Sequence, residues 1–189
     1  MSSNSQLLAS RLWPQTAGWA RAIALAVLGS LVVAVCARVS VPMLPVPMTL
    51  QTLAVLAIGG AYGARLGAAT LALYALEGAV GLPVFAPLAD GYPGITGPTG
   101  GYIFGFIIAA GLVGWLAERG WDRSVPKMLL ATLLGAAVLY IPGLLWLQGF
   151  VGWDKAVEYG LAPFWIGDIV KAAIAALGFP AAWAVLGKK

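Results

Sequence analysis

The sequence predicts an all-α integral membrane protein with six transmembrane helices and both termini on the cytoplasmic side. Three observations carry that reading. Hydrophobic residues fill 61% of 189 positions and charged residues only 10%, whereas a soluble domain carries about 25% charged residues to clothe its surface. Mean hydropathy is +0.91. The apolar residues also fall into long runs, separated by short segments that hold most of the charge. The net charge of +4 is then a topological signal rather than a nucleic-acid one, because what matters is which loops carry the basic residues. With one cysteine, Cys36, an internal disulfide is excluded, and with no histidine Cys/His metal sites and Ser/His/Asp catalysis are out of reach.

Residues 1–16 are polar, contain Pro14 and read as a mobile cytosolic lead; residues 17–189 form the single transmembrane domain. The first apolar run, 22–37, lies between Arg21 and Arg38 and with its flanks reaches the roughly 20 residues a bilayer demands. Ala22, Ala26, Ser30 and Ala34 recur at every fourth position. Either this ridge is an accident of a common residue, or it packs closely on another helix, in cis or in a partner subunit. The next segment holds Pro42, Pro45 and Pro47, which exclude a helix interior and predict a stiff extended connection. Helix two is expected over 49–62, helix three over 66–82 with Glu77 inside it, helix four over 101–117. Residues 118–127 are aqueous. Helix five is expected over 128–147 with its ladder broken at Pro142, then a loop over 149–163, then helix six.

Six spans put both termini on one side, and the charges agree. Arg11, Arg21, Arg65, Arg119, Arg123, Lys127, Lys188 and Lys189 share that side, against only Arg38 and Lys155 opposite. Basic residues mark the cytoplasmic side. The 39–48, 82–100 and 149–163 loops therefore gather on the outer face.

Two stretches there bear on function. The 82–100 loop is long and rich in Gly and Pro, as functional loops are. Its Gly97-Pro-Thr99-Gly100-Gly101-Tyr102 end leads into helix four, whose N-terminal N–H groups could hold an anionic or carbonyl group. The plainer alternative is a linker whose glycines only permit sharp turns. In Pro163-Phe-Trp165-Ile-Gly-Asp168-Ile-Val-Lys171 an acid and a base stand three residues apart at the head of helix six, so both side chains share one helix face. Charges in hydrocarbon are expensive and mark functional sites by default. Here too a plain reading exists: a dipole-favoured Asp168 and a Lys171 snorkelling to the interface. Glu77 either faces the same cavity or is a neutral acid buried among the helices. No phosphate-binding loop and no pair of broken helices appears, so the chain reads as a capture subunit that takes its energy from a partner.

Read in order, Pro47-Met-Thr49-Leu-Gln51-Thr52, Gly63-Ala-Arg65-Leu-Gly67, the stretch from Tyr74 to Gly81-Leu-Pro-Val-Phe85-Ala86, Gly97-Pro-Thr-Gly-Gly101-Tyr102 and Gly167-Asp168-Ile-Val-Lys171 resemble the BioY family. Its members are the biotin-specific substrate-binding (S) components of energy-coupling factor (ECF) transporters, and the resemblance spans residues 20–187. It implies the ECF S-component fold, high-affinity capture of biotin at the outer face of the cytoplasmic membrane, and delivery driven by a transmembrane coupling subunit with ATPase subunits. It implies no cofactor, no metal, no enzymatic step and no nucleic acid.

In the family the late Asp and Lys bind biotin, which places those roles on Asp168 and Lys171. The family's small-x-x-x-small coupling motif on helix one falls on Ala22 and Ala26, with Ser30 and Ala34 at the same spacing. A carboxylate accepts from ureido N–H groups and an ammonium donates to a ureido oxygen. Phe85, Tyr92, Tyr140, Trp146 and Trp165 are candidates to enclose the rings, with Gly97, Thr99, Gly100, Gly101 and Tyr102 as loop contacts. The competing reading is a self-powered proton-coupled carrier using Glu77, Asp168 and Lys171 as a relay.

Overall fold

A computed structural model describes residues 7–12, 18–87 and 94–186. Its elements are α1 (Leu8–Leu12), α2 (Gly18–Arg38), β1 (Ser40–Val41), β2 (Met48–Thr49), α3 (Gln51–Tyr62), α4 (Ala64–Ala79), α5 (Gly100–Ala117), α6 (Val125–Val151), α7 (Trp153–Gly160) and α8 (Trp165–Leu186), with a 3-10 turn at Trp121–Arg123 before α6. The chain is mostly helical. Helices α2, α5, α6 and α8 are long and apolar enough to cross a membrane. The 12 residues of α3 and the 16 of α4 give helices of only about 18 and 24 Å at 1.5 Å per residue.

Helix α5 is the centre of the bundle: it packs against α3, α4 and α6 and is buried along most of its length. Glycine lets it approach α6 closely. A Cβ built at Gly105 would lie 2.5 Å from the Leu139 carbonyl oxygen, nearer than van der Waals contact allows. Around α5 two clusters of buried side chains form. One holds Val33, Leu71, Tyr74, Tyr102, Phe106 and Phe164; the other, towards the opposite end of the bundle, holds Leu8, Leu56, Val113, Met128 and Phe179. The outward faces are apolar as well: Ile23, Leu31 and Val35 on α2 and Ile169, Val170 and Ile174 on α8 are all exposed. That inverts a soluble surface and suits contact with lipid.

Four expectations change. Part of the supposedly mobile lead is α1, whose Leu8 and Ala9 are buried and whose Ala9 carbonyl accepts from Arg21 Nη2 at 2.8 Å; two apolar side chains suffice to dock one helical turn. The proline-rich connection is extended as expected, yet it closes a two-stranded antiparallel hairpin, Ser40 opposite Thr49 and Val41 opposite Met48, so the fold is not purely helical. Pro142 leaves the expected gap in the ladder of α6, yet the helix runs on through it to 27 residues, beyond the expected 128–147; close packing against α5 holds it on both sides of the gap.

The expected 149–163 loop contains α7. Gly152, at φ 81°, takes a left-handed turn that ends α6 and starts α7. Asp154, Lys155 and Glu158 are the exposed face of α7, while Ala156 and Gly160 are buried beneath. Charge in that segment marks an amphipathic helix rather than a loop.

Candidate functional site

The residues of α8 turned inward are Asp168, Lys171, Ala172, Ala175, Ala176 and Phe179, a helical period that keeps the two charged side chains on the protein side while Ile169 and Val170 face out. Lys171 Nζ donates to Asp168 Oδ1 at 3.1 Å. Tyr140 of α6 donates its hydroxyl to Asp168 Oδ2. Asp168 is 6% exposed and Lys171 7%, so this is a desolvated ion pair and not a snorkelling one. Both carboxylate oxygens thus have a protein partner. Lys171 has given one of its three N–H groups to Asp168, and its other two meet no acceptor among the described residues.

The pair looks into a hollow whose atom-free space is about 600 Å³, continuous with the outside at its mouth. The hairpin supplies Val46, Pro47 and Thr49 to its wall; α3 supplies Gln51 and Thr52; the segment after α4 supplies Phe85 and Ala86. Thr99, Tyr102 and Phe106 come from α5 and its approach, Leu139 and Tyr140 from α6, and Phe164 from just before α8. An apolar enclosure with a few polar groups at one end suits a ligand with one polar head and an apolar body. The Tyr102 and Tyr140 rings meet edge to face at 6.1 Å, and Tyr102 spends its hydroxyl on the Gly160 carbonyl at 2.8 Å, tying the wall to α7.

Of the residues singled out from the sequence, Asp168, Lys171, Thr99, Tyr102, Phe85 and Tyr140 come together on this wall. Gly97, Gly100, Gly101 and Trp165 do not. The Gly97 carbonyl accepts from Gly100 N and from Trp146 Nε1, each at 3.0 Å, and the Thr99 carbonyl accepts from Tyr102 N at 3.0 Å. The first-turn N–H groups of Gly100 and Tyr102 are therefore spent locally, which removes them as an anion cradle. Gly101 is pressed against the Pro142 backbone, where a methyl group would overlap it. Trp165 is 54% exposed on the outer side of α8, and Trp146 is likewise off the wall. Tyr92 lies outside the described residues.

Glu77 does not face the hollow. Its Oε1 accepts from Ser30 Oγ at 3.0 Å, a bond between α4 and α2. Ser30 is fully buried, and Ala22, Ala26 and Ala34 are half-buried, so the small-residue ridge of α2 is turned in part towards its own bundle. A relay from Glu77 to Asp168 has no geometric support.

Residues 4–188 match the sequence profile of the BioY family. The chain belongs to the BioY family. A probable biotin transporter BioY of Pyrococcus horikoshii is 41% identical over 158 residues, covering 84% of this chain and 93% of that protein. The biotin transporter BioY of Thermotoga maritima is 39% identical over 146 residues, covering 77% and 85%. In fold, the chain matches a crystal structure of the S-component for biotin from an ECF-type ABC transporter with a TM-score of 0.76 at 21% identity, over 92% of this chain and 94% of that one. The ECF S-component fold follows. These BioY relatives are transporters by name, not enzymes.

Sequence reasoning left out Thr52, Phe106, Leu139 and Phe164 from the wall, and gave no role to Thr49 and Gln51. For the last two a signal was present: Thr49-Leu-Gln51-Thr52 puts three polar side chains at the start of an otherwise apolar helix, next to a proline-rich segment that cannot enter the hydrocarbon as a helix. The apolar wall residues had no such mark, since a membrane helix is apolar on every face.

Proposed function

We propose that this BioY protein captures biotin at the outer face of the cytoplasmic membrane and delivers it inward as the S component of an ATP-driven ECF transporter. The single observation that carries the reading is the buried Asp168–Lys171 pair, braced by Tyr140, at the polar end of the hollow. Asp168 accepts from the ureido N–H groups, Lys171 turns its uncommitted N–H groups to the ureido oxygen, and the aromatic wall encloses the fused rings. Charge-assisted bonds in a dry enclosure are the strong kind. The names borne by the BioY relatives support biotin as the ligand.

On this reading α2, α3, α4, α5, α6 and α8 are six spans of one domain over residues 17–189. The eight basic residues at 11, 21, 65, 119, 123, 127, 188 and 189 keep both termini cytoplasmic, and the lead is cytosolic. Partners are a transmembrane coupling subunit and ATPase subunits, engaged through the Ala22/Ala26 and Ser30/Ala34 side of α2. The test is native mass spectrometry of the protein purified in detergent from biotin-containing medium. Biotin is expected on the parent and absent from Asp168→Asn and Lys171→Ala, both still folded. A different co-purified ligand, or biotin retained by both variants, overturns the reading.

A further inference from the structure

Phe85 and Ala86 belong to the wall of the hollow, but the segment that carries them has no regular secondary structure to fix it. Two side chains from different helices hold its backbone instead. Arg38, at the end of α2, donates from Nη2 to the Pro83 carbonyl. Tyr74, from α4, donates its hydroxyl to the next carbonyl, that of Val84, at 3.1 Å. The Tyr74 ring is fully buried and meets the Phe85 ring edge-on at 5.3 Å. On its other side the Phe85 ring lies across Gly78 of α4, where a methyl group would overlap it.

The Tyr74 hydroxyl also reaches the far wall. It accepts from Gln51 Nε2 at 2.7 Å, and Gln51 Oε1 accepts from Thr49 Oγ1 at 3.1 Å. A phenol has one proton to give, and Tyr74 gives it to Val84. One unbranched chain of donors therefore runs Thr49, Gln51, Tyr74, Val84. It begins on the hairpin and α3 side of the hollow and ends beneath Phe85. Thr49, Gln51 and Phe85 all border the ligand space; Tyr74 and Arg38 do not.

We propose that Tyr74 and Arg38 are positioning residues, which set how tightly the hollow holds its ligand by pinning the backbone of residues 83–86 so that Phe85 stays on the wall. The proposal rests on the biotin reading above. Both residues act through another side chain and touch no ligand space, so their removal leaves the polar head of the site intact. Loosening the Phe85 wall shortens the ligand's residence and leaves its entry unaffected, as most affinity changes within one interface do.

The test uses the full chain in detergent with biotin as the probe, in Tyr74→Phe, Arg38→Gln, Phe85→Ala and the two double variants with Phe85→Ala. Tyr74→Phe keeps the ring and its packing. It is expected to speed biotin dissociation about tenfold, the equivalent of one net buried hydrogen bond, with association unchanged. In the Phe85→Ala background Arg38→Gln is expected to change the Kd by less than about twofold, since residues acting through one contact are not additive, whereas Tyr74→Phe also frees Gln51 Nε2 on the far wall and keeps that part of its effect. Hydrogen exchange of the peptide covering residues 82–87 in the ligand-free protein is expected to quicken in Tyr74→Phe and in Arg38→Gln. Unchanged exchange, or full additivity of Arg38→Gln with Phe85→Ala, overturns the proposal. A parent protein that binds no biotin defeats the functional reading instead, and the exchange measurement still decides whether Tyr74 and Arg38 hold the segment.

Discussion

Replacing Lys171 by methionine keeps the length of the side chain and deletes its charge, leaving the Asp168 carboxylate with the Tyr140 hydroxyl as its one remaining side-chain partner among the described residues. The size of the effect follows from burial. An exposed pair of this kind contributes about 1 kcal/mol or less. Here the partners are 6% and 7% exposed and 3.1 Å apart, so the figure for breaking a buried pair applies, about 3–5 kcal/mol of destabilisation. Adding Asp168→Asn to Lys171→Met removes the orphaned charge while the amide oxygen still accepts from Tyr140. The double variant is therefore expected to recover most of the lost stability. Denaturation of parent, single and double variants in one detergent measures this, and equilibrium dialysis with biotin runs beside it. Binding is expected to stay lost in both variants, by about 10–150-fold for the one charge-assisted bond missing from Lys171→Met and by more in the double variant, which lacks two. A Lys171→Met protein as stable as the parent, or a double variant no more stable than the single, refutes the desolvated pair; parent-like biotin binding in either refutes its role in the site.

Ser30→Ala deletes the α2–α4 bond to Glu77 and is expected to lower stability by about 1 kcal/mol while leaving the Kd for biotin at the parent value, because neither residue borders the hollow; thermal scans and a binding isotherm check both halves. Gly105→Ala forces α5 away from the Leu139 carbonyl and is expected to destabilise by about 1–3 kcal/mol through overpacking, read by the same scans. Asp122, in the 3-10 turn outside the spans, accepts from Trp183 Nε1 at 2.5 Å. Burial raises its carboxyl above the usual value against the lowering by Trp183 and Arg123. A raised carboxyl holds its proton more tightly folded than unfolded, so its contribution is fully present below the unfolded value and lost as pH rises through the folded one. Stability of the parent relative to Asp122→Asn is thus expected to fall across that acidic window; a flat difference between the two curves contradicts it.

The pair at 168 and 171 was legible because a charge in an apolar run has few inexpensive explanations, and helical spacing fixes that the two share a face. The spans of α2, α5, α6 and α8 were legible for the complementary reason, length without charge. What escaped was anything that depends on which neighbour a face meets. Nothing in the order of residues distinguishes Trp165, which points outward, from Phe164 beside it, which lines the hollow. Ser30 and Glu77 stand 47 positions apart, and only packing of α2 on α4 brings them together. Glycines at 97, 100 and 101 looked like a ligand cradle, yet their local hydrogen bonds and the press of Pro142 account for two of that motif's demands. Helix α7 was hidden by its charge, since a short amphipathic turn on the rim of a membrane protein carries the composition of a loop.

The bare outer flank of α8 has a bearing on how the molecule can move. Ile169, Val170, Ile174 and Leu177 are exposed on that flank, and Asp168 and Lys171 lie on the opposite one. Spinning this rod by roughly a third of a turn would drag an ammonium or a carboxylate into oil, at about 2.5–3.5 kcal/mol for each charge on insertion scales. Electrostatics thus keys the rod against axial roll, and any large excursion of α8 has to take its neighbours along as one piece.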